Sequence, residues 1–77
     1  MPNYRVWYVI NPPNDPFYQT VGDPETGANW IKWEIYRQAK IERIWGNAFG
    51  LEVDDGSGWT EWYNEVGEDV NEAFGLE

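Results

Sequence analysis

The chain has 77 residues, a net charge of −9, no Cys and no His, with six Trp, five Tyr and three Phe. That length supports one domain over residues 1–77, and a chain this short buries only about 60–65% of its unfolded surface. The lack of Cys and His excludes a disulfide framework, an ordinary zinc site and a thiol nucleophile, so reinforcement falls to the aromatic residues or to self-association.

Residues 4–10, dense in β-branched and aromatic side chains, read as a strand. Its faces are Tyr4, Val6, Tyr8, Ile10 and Arg5, Trp7, Val9, and apolar residues on both sides point to a central position or a covered face. Pro12, Pro13 and Pro16 end it, and residues 17–21 read as a short extended segment. Asp23-Pro24-Glu25 starts a helix, with Asp as N-cap and Pro at the first helical position. The helix is expected to run to about Trp45 and stop at Gly46, with Gly27 loosening its first turn. At 100° per residue Ala28, Ile31, Ile35 and Ala39 form a stripe suited to a sheet, with Trp30, Trp33, Arg37, Ile41 and Ile44 on the opposite side. That second group has two readings: a Trp wrapping the core edge, or a surface for self-association that would make a homodimer.

Residues 47–53 alternate, with Phe49, Leu51 and Val53 on one face. Asp54-Asp55-Gly56-Ser57-Gly58 is hairpin chemistry, and residues 59–63 return as a strand. Residues 68–74 suit a short helix or turn closed by Gly75. The order β-α-β-β predicts an α+β fold, a three-stranded antiparallel sheet carrying one packed helix and a short C-terminal helix or turn. No apolar run is long enough to span a bilayer, and the N-terminus lacks a signal-peptide core, so a cytoplasmic protein is expected.

The charge is segregated. All five bases (Arg5, Lys32, Arg37, Lys40, Arg43) and five acids lie in residues 1–43, whereas residues 44–77 hold nine acids and no base. An acidic chain with a pI near 4.2 is a poor direct ligand for nucleic acid or anionic lipid. Carboxylates two apart on a strand, as in Glu52 and Asp54, project from one face about 6.5–7 Å apart, near the spacing of successive backbone phosphates. Glu61 joins them from the paired strand, and Asp55, Glu65, Glu68 and Asp69 extend the field. That pattern points to a protein that occupies a basic nucleic-acid-binding groove; the plain alternative is a solvated acidic face that aids solubility.

Catalysis finds little support, because His is absent and Ser57 has no neighbouring base. Aligning Gly56 or Gly58 with the glycine of an EF-hand puts Leu51 or Val53 at the first ligand position, so no metal is expected. The glycines match neither phosphate-cradling motif, and no cofactor is expected. A nucleotide stacking on exposed Trp or Tyr beside an Arg is the competing reading.

The stretch Gly50-Leu51-Glu52-Val53, Trp59-Thr60-Glu61-Trp62-Tyr63 and Gly67-Glu68-Asp69-Val70 resembles small uncharacterised bacteriophage proteins over about a third of the chain. The short, acidic, His- and Cys-free β-α-β-β format is similar to phage-encoded inhibitors of host defence, including anti-CRISPR and DNA-mimic anti-restriction proteins. The resemblance implies a non-enzymatic inhibitor that blocks a larger basic protein of a bacterial host. The alternative is a small-molecule or nucleotide-binding sponge.

Overall fold

The computed structural model describes residues 2–40 and 47–76. Its elements are β1 (Asn3–Ile10), β2 (Phe17–Val21), α1 (Pro24–Gln38), β3 (Asn47–Asp54), β4 (Trp59–Glu61) and α2 (Val70–Phe74). The fold is α+β, but the sheet has four antiparallel strands rather than three, in the order β2-β1-β3-β4. The additional strand is residues 17–21, which pair with β1 from Tyr4↔Val21 to Tyr8↔Phe17. Four of its five residues are exposed, so it lacks the buried apolar periodicity by which a strand is read. Its turn is also unusual: Asn11 has a φ of 52°, Pro12–Pro13 is cis, and the Asn14 side chain donates to the Ile10 carbonyl at 2.8 Å.

α1 starts where the capping residues place it. The Asp23 carboxylate accepts from the Thr26 amide at 2.7 Å, and that bond holds its carboxyl below the usual aspartate range. The helix ends at Gln38, short of Trp45, because hydrogen bonding tightens there. Lys40 N–H donates to the Arg37 carbonyl, an i→i−3 bond. The expected stop at Gly46 lies outside the described residues.

The buried face of α1 is rotated from the stripe read in the sequence. Gly27, Ala28, Ile31 and Gln38 are buried, Ile35 is half-buried and Ala39 is exposed. Gln38, only 1% exposed, turns its amide onto Glu34 at 3.0 Å. Gly27 sits close against β3: a Cβ there would lie 2.9 Å from the Leu51 methyl group. What looks like a weak helical residue is thus a close-packing position.

Val6, Ala28, Ile31, Phe49, Leu51 and Val70 form the core, flanked by Tyr4, Tyr8, Val21, Trp30, Ile35, Trp62 and Leu76. Trp30 packs on Tyr8 with ring centroids 5.1 Å apart, so it wraps the core edge. β4 ends at Glu61, not residue 63, since Trp62 and Tyr63 leave the strand for a turn organised by Asn64. The Asn64 side chain accepts from the amides of Val66 and Glu68. α2 starts at Val70 rather than residue 68, because Asp69 is its N-cap, and Gly75 closes it left-handed as expected. It also finishes the β3 edge. The Asn71 side chain donates to the Phe49 carbonyl at 3.0 Å, and the Trp62 amide donates to the Leu51 carbonyl at 2.9 Å.

The rotated face has a measurable consequence. Ile31→Ala should lower unfolding free energy by about 2–5 kcal/mol, whereas Ala39→Ser should stay within about 0.5 kcal/mol of the parent. Urea titration of both variants checks the assignment, and a costly change at Ala39 would mean that the stripe read in the sequence is the buried one.

Candidate functional site

Strand alternation sends Arg5 and Trp7 of β1, Tyr18 of β2, Glu52 and Asp54 of β3, and Trp59 and Glu61 of β4 to the sheet face opposite the helices. On that face Arg5 is the hub. Its Nε donates to Glu52 Oε1 at 2.7 Å across the β1–β3 pair. Its guanidinium lies 3.9 Å from the Tyr18 ring centroid and 4.2 Å from that of Trp59. One side chain from each strand therefore meets in a single cluster. Beside it Trp7 lies flat over Gly50, its direct cross-strand partner, where any Cβ would fall inside the indole. Trp7 Nε1 donates to Glu61 Oε2 at 3.2 Å.

The predicted acidic residues do come together on the β3–β4 side, the adjoining turn and α2, yet most are held by local donors. Glu52 pairs with Arg5. Asp54 Oδ1 accepts from the Gly56 and Gly58 amides at 2.8 and 3.1 Å, closing the hairpin whose glycines have φ of 113° and 107°. Asp55 accepts from the Ser57 hydroxyl at 2.8 Å, and bonding to Ser57 draws its carboxyl below the usual range. The Glu68 carboxylate accepts from Asn64 Nδ2 at 3.0 Å, and Asp69 caps α2 by accepting from the Glu72 backbone amide at 2.9 Å. Glu65 and Glu72 stand exposed. Glu61 sits directly opposite Glu52. Burial pushes its carboxyl above the ordinary range, the Trp7 bond opposes that, and the charges of Glu52 and Asp69 add to it.

The apolar surface predicted from Trp30, Trp33, Arg37, Ile41 and Ile44 is assembled only in part. Trp30 belongs to the core edge, Arg37 forks onto Glu34 at 3.2 and 2.7 Å, and Ile41 and Ile44 lie outside the described residues. Trp33, 72% exposed, meets Tyr36, 59% exposed, edge-to-face with centroids 6.3 Å apart. Lys40 Nζ lies 4.2 Å over the Tyr36 ring and donates to its hydroxyl at 3.0 Å. Asn29, Lys32, Trp33 and Tyr36 line a shallow groove of about 550 Å³. Sequence reasoning missed Tyr36, although positions 29, 33, 36 and 40 share one helical face. Among the described residues, no group of three His, Cys, Asp or Glu is placed to hold a metal, and no helix is long and apolar enough to cross a membrane.

Two substitutions probe this face. Arg5→Lys keeps the charge but loses the planar fork and ring stacking, and should cost about 1–3 kcal/mol in a urea titration; a loss under about 0.5 kcal/mol would make the cluster incidental. Glu61 supplies the pH signature. Its raised folded-state value means that the native protein binds this proton more tightly than the unfolded chain does, so stability falls as pH rises through that value. Glu61→Gln should therefore melt higher than the parent at neutral pH, with the gap closing below the ordinary glutamate range. A gap that persists there contradicts the assignment.

No protein-family model, curated protein or solved structure matches the chain, so its functional reading rests on geometry and charge.

Proposed function

We propose that this chain is a non-enzymatic binding protein whose acidic β3–β4–α2 side blocks a basic, nucleic-acid-binding surface of a larger protein. In that reading it acts as an anti-defence inhibitor, of the anti-CRISPR or anti-restriction type, in the cytoplasm of a bacterial host. The supporting observation is the partition of charge by strand order. Glu52, Asp54, Asp55, Glu61, Glu65, Glu68, Asp69 and Glu72 belong to β3, β4, α2 and the turns joining them, whereas the bases of the described residues lie elsewhere in the chain: Arg5 on β1, Lys32 and Arg37 on α1 beside Glu25 and Glu34, and Lys40 just past its end. A one-sided field of this kind steers a basic partner and suppresses acidic ones.

The exposed aromatic groove on α1 favours a second reading, a nucleotide-binding sponge. Trp33 and Tyr36 offer stacking surfaces, and Lys32 offers a cation for phosphate.

Capture from bacterial lysate at low and high salt, followed by a mobility-shift assay of any captured protein with DNA, separates the two. The acidic-surface reading expects salt-labile capture of a nucleic-acid-binding protein and loss of its shifted band. Glu65→Lys combined with Glu72→Lys should slow association about tenfold at low salt, because both residues are exposed and neither holds Arg5. Capture that ignores both salt and charge reversal contradicts it. ATP retained by the parent in equilibrium dialysis, and lost in Trp33→Ala, would favour the sponge instead.

A further inference from the structure

The two edges of the sheet are not alike. β4 is three residues long and ends in a charged residue, Glu61, and the β3 carbonyls beyond it are taken by Trp62 N–H and Asn71. The other edge, β2, has five residues, Phe-Tyr-Gln-Thr-Val, without a charge or a proline. Phe17 and Tyr18 are 53% and 51% exposed. Soluble proteins ordinarily blunt such an edge with lysine, proline or a bulge, because its outward amides and carbonyls template another strand.

We propose that two copies of this chain join edge to edge through β2, antiparallel about a two-fold axis at Gln19, making one eight-stranded sheet. The sequence of β2 is self-complementary in that register: Phe17 falls opposite Val21 of the second copy and Tyr18 opposite Thr20. These are aromatic against β-branched pairs, a combination that stabilises neighbouring strands. The register also keeps both copies' helices on one side of the joined sheet, since paired residues share a face. In the single chain the Gln19 amide bonds back to the Thr20 carbonyl at 3.1 Å, and an arriving strand competes for that acceptor.

Charge selects a second copy joined in this way. Strand order becomes β4-β3-β1-β2 followed by β2-β1-β3-β4, so the two β4 strands end about 34 Å apart at 4.8 Å per strand step. That is several screening lengths at physiological ionic strength. The like charges that do approach are Asp15 and Asp23, which fall opposite each other just beyond each end of the pairing. Salt therefore tightens this dimer slightly, whereas it loosens a partner held by charge attraction.

Sedimentation equilibrium from micromolar to millimolar concentration tests the proposal. The parent should reach twice its 9.0 kDa chain mass, with association no weaker at high salt. Gln19→Lys puts two ammonium groups together on the axis and should weaken association at least about tenfold, while Trp33→Glu leaves it unchanged. Independently of any variant, backbone amide exchange in residues 17–21 of the parent should slow as concentration rises. A parent that stays monomeric at millimolar concentration, or a dimer abolished by Trp33→Glu and untouched by Gln19→Lys, overturns the proposal.

Discussion

The Arg5 guanidinium meets Tyr18 from β2, Glu52 from β3 and Trp59 from β4, so a single side chain of β1 is bonded or stacked to every other strand. The constraint behind it is how the sheet is covered. Among the described residues α1 is the main helix, and it packs on the side of Val6, Phe49 and Leu51. The opposite side must be closed by its own side chains. Aromatic rings over a cation and an indole flat on a glycine do this in a layer one side chain thick, with the polar atoms satisfied laterally. Gly50 is needed for the same reason: a methyl group there would lift Trp7 off the sheet and away from Glu61.

This arrangement changes the meaning of the acidic half. Glu52 is spent on Arg5, Asp54 and Asp55 on their hairpin, Asp69 on a helix start and Glu68 on Asn64. A carboxylate that accepts a local hydrogen bond still carries its charge, so the field survives while its geometry is dictated by folding. The phosphate-like spacing of Glu52 and Asp54 therefore yields to a broader negative side, on which Asp55, Glu65 and Glu72 are exposed. The bases on and just after α1 are partly committed as well, Arg37 to Glu34 and Lys40 to Tyr36.

Local signals in the sequence were reliable wherever the cause is local. Asp23-Pro24 starts α1, Gly75 closes α2, and Asp54 to Gly58 makes the hairpin, because each depends on residues within a turn of one another. Signals failed where the cause is distant. The pairing of Arg5 with Glu52 spans 47 residues and that of Trp7 with Glu61 spans 54, so neither leaves a periodic mark. Residues 17–21 read as an extended segment but not as a strand of the sheet, because the stability of β2 comes from β1 beside it, not from burial of its own. Gly27 misled for a related reason: propensity argues against it in a helix, but a close approach by Leu51 settles the matter. For the candidate site, the acidic residues could be found by counting charge, but the cation and rings that organise them could not.

The most direct test of the Arg5 cluster is nuclear magnetic resonance of its side-chain Nε–H group. A guanidinium flanked by two rings and bonded to a carboxylate gives a resolved, slowly exchanging Nε–H signal. Ring currents displace that signal, and through-space contacts link it to Tyr18 and Trp59. A freely exchanging Arg5 Nε–H at the shift of an unstructured peptide would contradict the account, because the sheet face would then lack the layer that closes it.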